Sequence, residues 1–369
     1  MKLKPGLHLF WRDLDRAQIG LSPDTAISLE NFSRVEHSLI GKLESEITFT
    51  EFKIAAQKAK ISEKRVVEIL NFLTSFGAIT PINSAVHENP SKEFSLGSFP
   101  QDFLFPQEHN FPGVIDFPIL SPFCTELALQ LLQLLPINIT SSDTNRIAES
   151  DHYLLQEAGA HLKKNQAFEK LKKQFSYETK FNPSTPMDSL FRPVQNTGRK
   201  EYPQNNSSSQ NSIKLAVVHS SYTPNPLILG NLLAAGTTVI NLWTEENASF
   251  LGPIFEPLSS PCPNCFHQRY LASDPDWNNL APQAFLAPAL PVHPFSQHAM
   301  LHELQLIIAI LIFQKENLLK NKIRGYHPPS YLFAESSEPQ TRNENLFSSK
   351  EFEFNAQNNC NCSLLQNTI

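Results

Sequence analysis

Glycine is scarce in this chain: only 12 of the 369 residues are glycine. Loops that cradle a phosphate group depend on glycine, because side chains along the loop keep its backbone amides away from the ligand. The scarcity therefore counts against a nucleotide-binding loop of the usual kind. Phenylalanine is abundant, with 27 residues, and 41% of the chain is hydrophobic, which is ample for buried cores.

The chain also lacks long apolar runs and an excess of positive charge. No run approaches the roughly 20 residues that cross a bilayer, and we interpret the longest, Leu304 to Phe313, as a buried helix. The N-terminal residues Met1 to Gly6 lack the apolar core of a signal peptide. The net charge is −6, whereas a general nucleic-acid binder carries a basic surface. We therefore expect a cytoplasmic protein that binds neither membranes nor nucleic acid.

Residues 1–85 are predicted to form a winged-helix-like domain. Three short strands with turn residues between them are followed by three helices whose apolar residues recur at helical spacing. A capping box is expected from Thr48 to Glu51, and Gly77 is a helix stop. The predicted strands are 7–12, 17–21 and 25–30, and the predicted helices are 33–43, 50–60 and 62–76.

A polar linker, 86–110, leads to a predicted α/β domain over 111–334. The order strand, turn, helix and strand from Val114 to Thr140 starts a doubly wound parallel sheet, and a second such unit covers 213–243. The first turn, Ser121 to Thr125, has no glycine, so we expect the fold without its nucleotide, and Asp143 as a capping or loop residue. Residues 160–212 are predicted to be a flexible insertion, and 335–369 a C-terminal tail.

Cysteine is rare but paired, and the pairs predict a structural zinc site. Cys262 and Cys265 form one chelating pair and Cys360 and Cys362 another, leaving only Cys124. Four thiolates complete the tetrahedral coordination of a structural zinc ion, which would hold the tail to the domain without doing chemistry. A redox role for Cys262 and Cys265 is the alternative, but it leaves the second pair unexplained.

Three segments around the first cysteine pair carry a family resemblance. They are Gly-Pro-Ile-Phe-Glu-Pro at 252–257, Ser-Pro-Cys-Pro-Asn-Cys-Phe-His-Gln-Arg at 260–269 and Asp-Pro-Asp-Trp at 274–277. With the start of the chain, Leu3 to Arg12, and the C-terminal Cys-x-Cys, they resemble the ThiF-like leader-peptide-binding partner proteins of thiazole/oxazole-modified microcin biosynthesis, of the actinobacterial type. We expect Trp277 to anchor on the fold rather than on a partner.

The resemblance implies a function and a set of binding residues. Such proteins bind the leader segment of a ribosomal precursor peptide as an added strand and present its core to a YcaO-type cyclodehydratase, which forms azolines with ATP. Both would be partners here, with a homodimer as a further option. By resemblance, the docking edge is Thr25, Ala26, Ile27, Ser28, Leu29 and Glu30, and the groove wall is Arg65, Val66, Ile69, Phe72 and Leu73.

Two rival functions remain beside this non-catalytic role. One is an ATP-dependent ThiF-like adenylyltransferase that acts on a peptide, which the missing glycine loop disfavours. The other is a zinc-stabilised regulator that binds DNA through the helix at 62–76. That helix begins with the balanced charges of Glu63, Lys64, Arg65 and Glu68 rather than a basic stripe, which disfavours DNA binding.

Overall fold

The computed structural model describes residues 1–80, 113–175, 214–327 and 348–362, apart from residues 5, 23–25, 135–136, 247, 288–289, 291 and 359. The predicted linker, most of the predicted insertion and part of the predicted tail lie outside the described residues. Those that are described make up an N-terminal module, 1–80, and an α/β domain that begins at residue 113.

The N-terminal module combines two small sheets with three helices. Its main sheet has the order β2-β3-β4 and is antiparallel throughout, while β1 pairs with β5. Apolar residues from the sheets and helices meet in one core, which includes Phe32 and Phe52. The elements are β1 (Lys2–Leu3), β2 (Leu9–Trp11), β3 (Ala17–Ile19), β4 (Ile27–Leu29), α1 (Arg34–Ile40), a 3-10 turn (Gly41–Glu44), α2 (Phe49–Lys58), α3 (Glu63–Ser75) and β5 (Ile79–Thr80).

Local sequence signals set the helix ends in this module. Thr48 and Glu51 form the predicted capping box at the start of α2, with each side chain bonded to the other residue's backbone N–H. After α3, Gly77 has a φ of 61°, a left-handed conformation that glycine adopts without strain, and the Ala78 N–H donates to the Leu73 carbonyl at 2.8 Å.

The second domain is a mixed α/β fold around a seven-stranded sheet of order β12-β11-β10-β9-β8-β6-β7. Strands β7, β6, β8 and β9 are parallel, whereas β10, β11 and β12 are antiparallel to their neighbours. The elements are β6 (Val114–Asp116), α4 (Pro122–Leu134), β7 (Asn138–Thr140), α5 (Tyr153–Gly159), α6 (Lys164–Phe175), β8 (Lys214–Ser221), α7 (Pro226–Ala234), β9 (Thr238–Thr244), β10 (Ser249–Phe255), α8 (Asn264–Ser273), α9 (Trp277–Leu286), α10 (Pro294–Phe313), β11 (Lys322–His327) and β12 (Ser348–Glu353).

The α/β class is confirmed, but the prediction of a parallel sheet is wrong for three of its seven strands, β10, β11 and β12. Strand β10 was not predicted, and its second half contains Gly252 and Pro253, which are residues typical of loops. The register of β10 against β9 shifts between Leu251 and Ile254, so the strand carries a bulge where glycine and proline fit. A Cβ on Gly252 would lie 2.5 Å from the Lys322 carbonyl oxygen, so this close approach requires glycine.

The prediction of a flexible insertion from residue 160 is also wrong at its start, because α6 covers Lys164–Phe175. Most residues of this helix are polar, but three apolar residues on one face are buried in the core of the α/β domain: Ala167, Phe168 and Leu171. Residues 176–213 lie outside the described part of the chain.

Helix α10 is long and apolar enough to cross a membrane by length and composition, with a mean hydropathy of 1.3. Half of that segment is buried inside the protein. Leu301, Leu304 and Ile308 pack in the main core of the α/β domain. The helix is therefore weak evidence for a membrane segment.

Candidate metal centre and peptide-docking edge

The four paired cysteines meet at one place in the α/β domain. Cys262 lies in the loop after β10, and Cys265 lies in the first turn of α8. The chain leaves β12, turns back and places Cys360 and Cys362 against the same turn. The tail therefore closes on a motif 98 residues earlier in the sequence.

The arrangement of the sulfur atoms fits one tetrahedral ion. All four Sγ atoms lie within 4.8 Å of one another, and the Cys262–Cys360 and Cys265–Cys362 separations are 3.5 and 3.3 Å. Ligands at about 2.3 Å from a tetrahedral centre lie about 3.8 Å apart. Three of the four cysteines are buried, so the site is largely closed to water. These residues can hold a metal ion as a structural centre.

Neighbouring groups shift the pKa values of these thiols in opposite directions, and burial raises the pKa of Cys362. The hydrogen bond from the Cys262 thiol is the main cause that lowers the pKa of Cys265 to about 5, and the same shared proton raises the pKa of Cys262. The Ser260 hydroxyl donates to Cys362 Sγ at 3.5 Å, and the Asn264 amide donates to Cys360 Sγ at 3.8 Å. Donors around metal-bound thiolates offset their charge.

The cysteine pair at 262 and 265 also opens a helix after a strand, which is the setting of a redox motif. A redox motif needs only these two thiols, but in the structure the sulfur atoms of Cys360 and Cys362 lie within 3.5 Å of them. A metal centre uses all four thiols, so we favour it over the redox alternative.

The α/β domain has a topological switch point between β6 and β8. Strand β6 leads through α4 to β7 on one side, and the chain then returns to place β8 on the other side. In doubly wound sheets, ligands bind outside the carboxyl ends of the strands at such a point. The turn after β6, Ser121 to Thr125, has no glycine, and its side chains line this end of the sheet.

A buried chain of hydrogen bonds joins residues near the carboxyl ends of β6, β8 and β9. The Ser121 hydroxyl is 2.9 Å from His219 Nδ1, and His219 Nε2 is 2.9 Å from the Thr244 hydroxyl. All three residues are buried, and burial lowers the pKa of His219 to about 4, so the ring is neutral at pH 7. The Ser121 hydroxyl also accepts from the Cys124 N–H at 3.2 Å, as a cap of α4.

Asp143 lies in the loop after β7, which is one of the two roles predicted for it, and it does not cap a helix. Its carboxylate accepts from the Leu120 N–H at 2.9 Å and the Asn145 N–H at 3.0 Å. Lys164 lies 4.0 Å from this carboxylate and forms a closer ion pair with Asp151, at 2.6 Å. Sequence analysis missed His219 and Lys164, because single polar residues in a strand and a helix give no local signal of what they meet.

In the N-terminal module, the two edges of the β2-β3-β4 sheet differ. At β2, the side-chain amide of Gln283 on α9 binds the edge as a strand would, since it accepts from the Trp11 N–H and donates to the Trp11 carbonyl, both at 2.8 Å. Asn279 donates to the next carbonyl, that of Arg12, at 2.7 Å. The edge at β2 is therefore occupied.

The edge at β4 is open in the described part of the chain, where no strand pairs with it. Backbone hydrogen bonds join Gly20 to His8 and Arg12 to Arg16 across β2 and β3. Because hydrogen-bonded and non-hydrogen-bonded pairs alternate along an antiparallel ladder, the backbone N–H and carbonyl groups of Ala17 and Ile19 point towards β4. The register opposes Gln18 and Ser28, and the Ser28 N–H and carbonyl point outward. Ser28 is exposed, so it offers an unpaired donor and acceptor to an added strand.

The structure gives the predicted peptide-binding residues different environments. On β4, Ile27 and Leu29 direct their side chains into the core, and Thr25 lies outside the described residues. On α3, the sequence prediction places Val66, Ile69 and Leu73 in a groove wall, and in the structure all three are buried in the core of the module. The periodicity that marks them identifies the buried face of an amphipathic helix, not its free face. Of the remaining predicted residues, Ala26 and Arg65 are partly exposed, and Ser28, Glu30 and Phe72 are exposed.

The free face of α3 carries an aromatic pair. Phe72 and Phe76 are 36% and 59% exposed, and their ring centroids are 4.8 Å apart. Arg65, nearer the start of the helix, pairs with Glu36 at 2.6 Å and reaches the Asn31 carbonyl just after β4 at 3.5 Å. Sequence analysis missed Phe76, whose signal is an apolar residue outside the buried stripe.

The Asp-Pro-Asp-Trp segment joins the two domains. Arg12 of the N-terminal module pairs with Asp274 at 2.6 Å and with Asp276 at 3.0 Å. Trp277 is buried, stacks on Tyr270 with a centroid distance of 4.4 Å, and packs in a core cluster that includes Phe10. Trp277 therefore anchors the fold, as expected, and the segment holds the N-terminal module against the α/β domain.

Comparison with solved structures gives weak likenesses along the whole chain. E. coli MccB with MccA is 16% identical, with a TM-score of 0.41 and 98% of each chain covered. The microcin C7 biosynthetic enzyme MccB in complex with N-formylated MccA is 15% identical, with the same TM-score and coverage. PaaA is 13% identical, with a TM-score of 0.38, and the match covers 95% of this chain and 98% of the PaaA chain.

No protein-family model matches the sequence. No curated protein matches it significantly. At this level of identity and superposition, neither a family nor an activity follows from the likenesses, and the chain's own residues have to carry the function.

Proposed function

We propose that this protein binds the leader segment of a ribosomal precursor peptide and presents the peptide to a modifying enzyme, of the YcaO cyclodehydratase type that the sequence resemblance implies. The leader adds as a strand to β4. The observation that carries the proposal is the difference between the two sheet edges, since Gln283 occupies the edge at β2 while Ser28 presents free backbone groups at β4. Strand addition supplies affinity through those groups.

The α/β domain serves as the platform in this proposal, with zinc in the four-thiol centre as a structural ion. A non-catalytic role is supported by the switch point, where buried Ser121, His219 and Thr244 bond to one another. A nucleotide at that point would have to displace them and leave their polar groups unpaired, which costs free energy.

The second candidate is an ATP-using, ThiF-like enzyme that modifies a peptide. Its support is the switch point itself, which is where doubly wound sheets bind nucleotides, with Asp143 and Lys164 close by. Among the similar solved structures, MccB has been determined with ATP.

A displayed library of random 12-residue peptides, selected on the full chain, tests the docking edge. Ser28→Pro removes the outward N–H, and we expect it to weaken the selected peptides by about tenfold or more. Ser28→Ala keeps that N–H and is the matched control, with unchanged affinity. Because proline can also disturb the strand, peptides N-methylated at alternate residues provide a second test on the unsubstituted chain.

Equal affinity for Ser28→Pro, together with tolerance of N-methylation at every position, would mean that the peptide does not add to β4. Calorimetry with Mg·ATP separates the two candidates. We expect no binding at micromolar nucleotide, and a micromolar Kd would replace the presenting role with the ATP-using one.

A further inference from the structure

The turn that leads into β4 is held by the other domain. Both oxygens of the Glu246 carboxylate accept backbone N–H groups there, one from Leu21 and one from Ser22 at 3.1 Å. Gly20 has a φ of 78°, and a Cβ at this residue would lie 2.9 Å from Glu246 Oε1. The carboxylate therefore packs closely against the turn, at a residue where only glycine leaves room for it.

Glu246 is itself held firmly. It lies at the tip of the β9–β10 hairpin, where the Glu245 N–H donates to the Ala248 carbonyl at 2.8 Å. The neighbouring Glu245 carboxylate accepts from Trp243 Nε1 at 3.1 Å and from the Tyr270 hydroxyl at 3.4 Å. Tyr270 belongs to α8, the helix that also carries Cys265, so the hairpin tip is anchored to the half of the domain that holds the metal centre.

The bonding of Glu246 is unusual for a partly buried carboxylate. Burial raises the pKa of Glu246, and the two backbone donors oppose that rise. No lysine or arginine forms an ion pair with it among the described residues, although charge on His8 also favours its ionised form. Desolvation of a carboxylate costs free energy that an ion pair would offset. The gain from this placement is the fixed geometry of the turn.

We propose that Glu246 is a positioning residue for peptide docking: by clamping the turn at 20–22, it holds β4 in the orientation that receives an added strand. The inference rests on the proposed function. It assigns a second role to the α/β domain, which aligns the open edge of the module at Glu246 while it closes the other edge at Gln283.

The test compares Glu246→Ala, Glu246→Gln and Gln283→Ala in the full chain, with a library-selected peptide as the probe. Glu246→Ala is expected to lose about tenfold in affinity, since both acceptors are lost. Glu246→Gln keeps one acceptor and should recover part of the loss. Gln283→Ala breaks two bonds between the same domains at the opposite edge and should stay within about twofold.

Amide hydrogen exchange provides the readout that separates positioning from general loosening. Glu246→Ala should speed exchange at Leu21, Ser22 and β4 while exchange in α2 and the melting temperature stay unchanged. Unchanged affinity in Glu246→Ala, or an equal loss in Gln283→Ala, would overturn the proposal. If no selected peptide binds the unsubstituted chain, the proposed function fails, and unchanged exchange at β4 in Glu246→Ala would then overturn the clamp as well.

Discussion

Replacing Cys360 by serine is expected to release the metal and free the C-terminal edge of the sheet. Serine cannot supply a thiolate, so the remaining three cysteines would hold zinc far more weakly. Strand β12 pairs only with β11 among the described strands, and the tail that follows it reaches the domain through Cys360 and Cys362. Metal loss should therefore act first on β12.

The magnitude follows from the length of chain that the centre closes. A bound ion would link Cys262 to Cys360, which lie 98 residues apart in the sequence. A covalent link that closes a loop of about 100 residues lowers the entropy of the unfolded chain and so stabilises the fold by about 5 kcal/mol. A metal centre with four ligands would lower the entropy of the unfolded chain in the same way. For a domain of this size, that corresponds to a fall in Tm of about 10–20 °C.

The assay is metal analysis and calorimetry on reduced protein, followed by hydrogen exchange. We expect about one zinc per chain in the unsubstituted protein, almost none in Cys360→Ser, and rapid exchange across β12 in that variant. Cys124→Ala removes a buried thiol from a different core cluster and should keep its zinc. A metal-free unsubstituted protein, or Cys360→Ser with full zinc and an unchanged Tm, would refute the reasoning.

Two further predictions concern the domain contact and the switch point. Arg12→Ala removes the ion-pair partner of Asp274 and one of the two partners of Asp276, which keeps Arg16 at 3.3 Å. It should destabilise the chain by about 2 kcal/mol in thermal unfolding, whereas the more exposed Arg16→Ala should cost less than about 1 kcal/mol. Equal losses would contradict the role of Arg12 in the contact between the domains. Because burial holds the pKa of His219 at about 4, below its ordinary 6.5, the unfolded chain binds the extra proton between these values. The free energy of unfolding should thus fall by about 3 kcal/mol as the pH drops from 6.5 to 4. In denaturant titrations, His219→Gln should reduce this pH dependence, while the control His302→Gln should keep it. An NMR titration that gives His219 an ordinary pKa would contradict the buried hydrogen-bond network.

Local signals were enough to predict much of the secondary structure. The capping residues of α2, the glycine after α3 and the apolar spacing of α3 all act within one or two turns, and the structure agrees with each of them. The antiparallel strand β10 was missed because Gly252 and Pro253 are local signs of a loop, while its pairing with β9 and β11 is a long-range fact. Helix α6 was missed because three buried residues are outnumbered by polar ones.

For the candidate sites, the sequence determined the chemistry and the tertiary structure decided the positions. Two chelating cysteine pairs predict a metal centre from their spacing, and the structure brings their four sulfur atoms together. The absence of glycine from the turn at 121–125 predicts a fold without a bound nucleotide, which stays a prediction. No sequence pattern indicates which sheet edge is covered, or that Arg12, Trp11 and Leu21 meet residues 262, 272 and 225 positions away. Spacing along a chain constrains only near neighbours, whereas an open edge is defined by what the rest of the fold leaves uncovered.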